Sequence, residues 1–426
     1  VRRVAELALL AVLVTGAPAR ADTPGLFGFG ARSAGLARAG VAADDAGAAA
    51  RENPANAATP GLRVQVGYGY GALALTFDGQ DAGVPHASGV DLGAQCGVNV
   101  ARAVDLGFAL ALHLPDGDLA GVGFRPATEP QFPLYEAPLQ RTTFDLVAAV
   151  RLGPVWLGGG ADVGVSVGGA GTHFVIGNDA RGTVADGSVD VTLPYRATPV
   201  AGARVDLGRV TVGASVRGPM SLDLGLANAA VVDIPSNPLN GTTSVVVSGV
   251  NGWDPAVITA GAHVVLAPWI AVMASLEYAV YSAAPPPVAA VQIDVQLGTT
   301  PGLREVRFPS PRFRDTVAPR LAAEIRWPSA AEWRWAARLG YAVLPSPVPR
   351  QSGFTTYADA TRHQIAAGAG YHFGRLAGVD LAIEAAGQVH VLNPRGEDKD
   401  SPALPYAHFD VGGHVLYASA TLEARW

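Results

Sequence analysis

The sequence predicts an all-β fold, a 14-stranded antiparallel transmembrane β-barrel with an N-terminal segment plugging its lumen. Three observations predict it. Charged residues make up 15% of the 426 positions and hydrophobic residues 49%, against roughly 25% charged in ordinary soluble domains, so part of the surface faces something other than water. From Leu62 onward the chain is a run of segments in which apolar and polar residues alternate with period 2, the repeated signature of strands with one greasy and one wet face. The links between these segments alternate short and long, as bacterial barrels alternate inner turns and outer loops. After the first twenty residues no stretch is long and apolar enough to cross a bilayer as a helix, which takes about 20 residues. A spanning chain must then close into a barrel, because hydrocarbon leaves no unpaired N–H or C=O satisfied.

The first residues carry an address. Arg2 and Arg3 form a positive region, Leu7 to Val14 an apolar one, and Ala19-Arg20-Ala21 a small-residue cleavage site, which predicts a secretory signal peptide over 1–21. The formal charge of −6, without a basic block, argues against nucleic acid as a partner. Cys96 is the one cysteine, so no intrachain disulfide staples the fold.

Residues 22–61 are rich in Ala and Gly and end in Glu52-Asn53-Pro54-Ala55-Asn56-Ala57. They read as short helices and turns with too little bulk to build a core of their own. The economical place for such a segment is inside the barrel. Barrel strands then follow over 62–426, near 62–77, 89–101, 103–115, 140–152, 154–169, 188–208, 209–223, 255–267, 269–282, 312–327, 332–345, 359–373, 375–392 and 408–426. The clearest is 312–327, with Phe313, Val317, Leu321, Ala323, Ile325 and Trp327 on one face and Arg312, Arg314, Thr316, Arg320, Glu324 and Arg326 on the other. Trp333, Trp335, Leu339, Tyr341 and Val343 repeat the pattern against Glu332, Arg334 and Arg338. Short links fall at 101–103, 152–154, 207–209, 267–269, 328–331 and 373–375, and long loops at 78–88, 116–139, 170–187, 224–254, 283–311, 346–358 and 393–407. An even strand count places both ends on the short-turn side. The last strand alternates up to a terminal Trp426, which resembles the signal read by barrel-assembly machinery.

Two stretches resemble a known family. Gly28-Phe29-Gly30-Ala31-Arg32-Ser33-Ala34-Gly35, Gly40 to Ala46 and Asn53-Pro54-Ala55 are similar to the N-terminal hatch of the FadL family of long-chain fatty acid and hydrocarbon transporters, and Arg338 to Tyr341, Ser346 to Pro349 and Ala367 to Tyr371 are similar to its eleventh and twelfth strands and the loop between them. The sequence departs at Ala37-Arg38-Ala39-Gly40, where a Gly-Gly-Ala turn is common, and at Arg51-Glu52, where aromatics usually stand. The resemblance implies a hatch-plugged barrel in the outer membrane of a Gram-negative bacterium, bathed in lipid and lipopolysaccharide. It implies passive movement of a hydrophobic small-molecule cargo, without a cofactor, by a monomer. It also implies lateral release through a gap beside a kinked third strand, and here Pro115, Gly121 and Gly123 are the residues that would weaken the wall.

Candidate ligand residues fall in two groups. Phe132, Leu134 and Tyr135 form an apolar cluster in the second long loop, the kind of exposed patch that marks binding. Arg141, Arg320 and Arg338 lie on inward phases with Arg326 and Arg334, where a guanidinium fork would hold a carboxylate. The plainer reading pairs these arginines with inward Glu324, Glu332 and Glu384, or with the plug. Enzyme readings fare poorly. Gly164-Val165-Ser166-Val167-Gly168 matches a nucleophile pattern but sits in an alternating strand, not a strand–turn–helix elbow. The nine histidines show no metal-binding spacing. The sequence therefore points to a transport barrel, with a lipid hydrolase and a water-filled porin as alternatives.

Overall fold

The computed structural model describes residues 23–43, 45, 47–116, 128–135, 141–165, 169–179, 182–192, 195–233, 241–286, 288–297, 300–307, 310–329, 333–376 and 378–426. The expected signal peptide, Gly121, Gly123, Pro138, Ser166 and Glu332 lie outside these residues. Fourteen long strands form one closed antiparallel barrel. They are β1 (Gly61–Phe77), β2 (Ala87–Ala101), β3 (Val104–Pro115), β4 (Thr143–Leu152), β5 (Val155–Val165), β6 (Tyr195–Asp206), β7 (Val210–Arg217), β8 (Ala256–Ala267), β9 (Ile270–Val280), β10 (Thr316–Trp327), β11 (Trp335–Leu344), β12 (Arg362–Leu376), β13 (Val379–Leu392) and β14 (His408–Arg425). Each pairs with its chain neighbour, and β14 closes on β1 from Arg63 opposite Arg425 to Phe77 opposite Val411. No edge of the barrel is left open. Two short strands, Gln80–Asp81 and Arg395–Asp398, extend hairpins at the long-loop end.

The wall obeys the period-2 pattern. On β10, Val317, Leu321, Ile325 and Trp327 are exposed, while Thr316, Arg320, Ala322 and Glu324 are buried inside. β11, β13 and β14 alternate in the same way. Exposed aromatics gather at the two rims. Trp269, Trp327, Trp335, Phe373 and Trp426 ring the short-turn end, and Tyr70, Tyr195, Tyr278 and Tyr341 the loop end. An apolar band between aromatic girdles is what a bilayer selects.

Two readings are corrected at strand ends. β10 starts at Thr316, so Phe313 lies in the preceding loop and turns inward at 8% exposure. β11 starts at Trp335, and in the turn before it Trp333 is buried while Arg334 is exposed, the reverse of the expected phase. Alternation holds where a ladder fixes each residue, and turn residues are free of it.

Three of the long connections are structured. Residues 170–187, 224–254 and 283–311 contribute most of a second, six-stranded sheet, ordered 300–307, 288–297, 241–254, 220–233, 169–179 and 182–192. Its one parallel pairing joins 220–233 to 169–179. The expected strands 154–169, 188–208 and 209–223 thus each run together a barrel strand and part of this sheet.

The N-terminal segment comprises α1 (Thr23–Phe27), α2 (Gly30–Gly35), α3 (Ala49–Glu52) and a 3-10 helix, Pro54–Ala58. Its alanines are buried against inward faces of the barrel. The close approach is set by inward glycines. A Cβ on Gly107 would overlap the Ala57 carbonyl, and one on Gly202 would overlap the Asn53 side chain. Asn53 explains why Asn-Pro-Ala stands there. Its Oδ1 accepts from Ala55 N at 3.1 Å, capping the 3-10 helix, and its Nδ2 donates to the Val41 and Ala203 carbonyls at 2.7 and 3.2 Å. Gly28 and Gly30 both have positive φ, +105° and +76°, and Gly30 N–H donates to Asp91 on β2 at 3.2 Å.

Candidate functional site: the lumen and its cavity

The inward faces carry charge that is mutually cancelled. Arg338 donates to Glu324 at 2.7 Å and to Glu384 at 2.8 Å. Arg32 of α2 reaches Glu324 at 3.0 Å and Asp45 at 3.1 Å, and Arg326 joins Glu324 at 3.1 Å. Arg320 bonds Glu277 at 2.9 Å and the Ala37 carbonyl at 3.1 Å, while Arg38 bonds Glu277 at 3.0 Å. Arg51 sits 3.4 and 3.3 Å from Asp145 and Asp162, and Arg217 pairs with the same two carboxylates. Arg141 pairs with Asp254. Each of these buried ions is therefore matched, which is the condition for keeping charge out of water. The sequence had placed Arg320 and Arg338 inward, and the structure gives both of them structural partners.

Between the N-terminal segment and the long loops lies a cavity of about 190 Å3. Its floor and sides carry Arg38, Arg51, Glu52, Arg217, Asp254 and Glu277. Leu26, Leu134, Val200, Trp253, Tyr281 and Phe313 make the apolar part. Trp253 and Tyr281 lie with ring centres 6.1 Å apart and planes tilted by 56°, and Phe313 meets Tyr357 edge-on at 5.3 Å. Tyr281 lies in the loop after β9, where burial pushes its hydroxyl up to about 12, so it stays a neutral donor. Burial likewise raises the hydroxyl of Tyr135 in the second long loop.

Of the apolar loop candidates, Leu134 lines the cavity. Phe132 and Tyr135, expected in an exposed patch, are instead buried beside it with Phe27, Leu75 and Phe409, because the loop folds back onto the N-terminal segment and the ends of the first and last strands. Pro115 ends β3 opposite Gly89. On its other side the β3–β4 ladder stops earlier, at His113 opposite Thr143. Sequence reasoning missed Arg38, Arg51 and Arg217, whose pairing depends on tertiary approach, and Trp253, Tyr281 and Phe313. An aromatic at a strand–loop junction was the signal for the last three, since each lies within four residues of a barrel strand.

Neither a family model nor a curated protein matches the sequence. Solved structures do match the shape. A FadL homologue of Pseudomonas aeruginosa superposes over 96% of this chain and 98% of its own, with a TM-score of 0.55 at 14% identity. The chain has the FadL fold. The toluene transporter TbuX of Ralstonia pickettii and the toluene transporter TodX of P. putida share the FadL fold too, each at 13% identity and a TM-score of 0.53, over 94% of this chain and 99% of theirs.

Proposed function

We propose that this chain is a passive outer-membrane channel for hydrophobic compounds, in which residues 22–61 act as the hatch. The observation that carries the reading is the cavity beneath the loops, with Leu26, Leu134, Trp253, Tyr281 and Phe313 on its apolar side and ion-paired arginines and carboxylates on the rest. An apolar solute gains by leaving water for such a site, and its own gradient then drives it onward. Leu134 stands at the intake in contact with the cavity, and the buried Phe132 and Tyr135 hold its loop in place behind it. Arg141, Arg320 and Arg338 serve the cargo indirectly, by holding the walls and the hatch in place.

Release is sideways, at the seam where the β3–β4 ladder ends two residues before Pro115. Proline donates no ladder hydrogen bond, so this stretch of wall is the cheapest to part. The fold shared with the toluene transporters TbuX and TodX supports the same reading, as does the apolar belt between aromatic rims. Proteoliposomes test it. The protein should speed uptake of a labelled long-chain fatty acid or alkylbenzene several-fold over empty vesicles, and equal rates would end the proposal. Locking the seam with a Leu114→Cys, Thr142→Cys pair should abolish uptake on oxidation and restore it on reduction, if release is lateral.

A further inference from the structure

We infer that the cavity is a specificity site for a single aromatic ring bearing a neutral hydroxyl, in preference to a plain hydrocarbon or a long acyl chain. The inference rests on the channel reading and narrows its cargo. Size comes first. At about 190 Å3 the cavity lies close to the roughly 150 Å3 apolar cavity that accommodates benzene and below the ~300–1,000 Å3 of sites for larger ligands.

Chemistry narrows the guest further. The ring has apolar and aromatic neighbours in Leu134, Trp253, Tyr281 and Phe313, where stacked and edge-on contacts add to burial. The opposite wall is charged but balanced, three guanidiniums (Arg38, Arg51, Arg217) against three carboxylates (Glu52, Asp254, Glu277). A carboxylate guest would meet the acids, and a cation the arginines. A pure hydrocarbon gains from burial here but returns no hydrogen bond to this wall, so it binds less tightly than a guest that does. A hydroxyl both donates and accepts, and the wall offers both functions. On this wall the guanidiniums of Arg38 and Arg217 carry the donors. Glu52 receives one hydrogen bond on Oε1, from Ser33 Oγ at 2.6 Å, leaving Oε2 to accept another.

The test is a titration of the full chain in nanodiscs, reading tryptophan fluorescence against empty nanodiscs and a Trp253→Phe control. The probes are p-cresol, its methyl ether 4-methylanisole, p-xylene and palmitate. The expected result is saturable quenching by p-cresol at a concentration at least tenfold lower than for either the ether or xylene, with palmitate failing to displace it. In Glu52→Leu that tenfold gap should shrink to within twofold through weaker cresol binding. Xylene or palmitate binding as tightly as cresol, or cresol not binding saturably, overturns the inference, and the wild-type comparison decides it even if Glu52→Leu fails to fold. Vesicle uptake of xylene and palmitate separates the two levels. If it persists while the cresol preference is absent, the channel stands and this specificity falls.

Discussion

At the short-turn end of the lumen the 3-10 helix Pro54–Ala58 presses its backbone onto Gly107, Gly158 and Gly202, with Trp156 below it between Arg151 and Arg204, each 4.7 Å from the ring centre. At the loop end the same N-terminal segment stands off from the wall and leaves the cavity lined by Leu134, Trp253 and Phe313. One end is sealed by the smallest residues in the chain and the other is held open by some of the largest. Bulk near the loops keeps surfaces apart, whereas its absence below lets backbones touch. One segment thus packs tightly against the wall at one end and leaves a cavity at the other.

The contrast can be broken most forcefully at the ions that bind the two regions together. Changing Asp145 and Asp162 both to Asn leaves Arg51 and Arg217 buried without their countercharges. A loss of about 3–5 kcal/mol is expected from such uncompensated charge, seen as a lower urea midpoint in detergent. Gly107→Val comes next. Its side chain collides with the Ala57 carbonyl, and overpacking of this kind costs about 1–3 kcal/mol. The same change at Gly374, where a Cβ meets nothing within 4 Å but φ is +80°, separates crowding from backbone strain. Leu134→Trp acts on the other end. It should leave the urea midpoint unchanged and slow vesicle uptake several-fold by filling the cavity. The smallest effect belongs to Arg196→Ala, which removes a 2.8 Å pair with Asp223 that is more than half exposed. Stability should move by no more than about 0.5 kcal/mol.

Much of the barrel is legible in the sequence because a ladder imposes period 2 on every residue it holds. The run 316–327 reads inward and outward without error, and the terminal strand does so up to Trp426. The six-stranded loop sheet was not legible. Strand 241–254 is mostly Gly, Thr, Ser and Val, a composition shared by loops and strands, and its neighbours in the sheet include the distant 288–297. The site was legible in part for a related reason. Leu134 announces itself as an apolar residue in a loop, while Arg38 and Glu277, separated by 239 positions, become partners only when the segment folds into the lumen. Phe313 was assigned to a strand face because alternation was carried past the end of the ladder.

The central claim is that residues 22–61 close the lumen to water while leaving a place for cargo. Ion conductance in a planar bilayer tests it most directly, comparing the full chain with a variant lacking 23–58. The full chain should be nearly silent and the deletion should pass salt in steady, porin-like steps. Equal, large conductance from both would contradict the account.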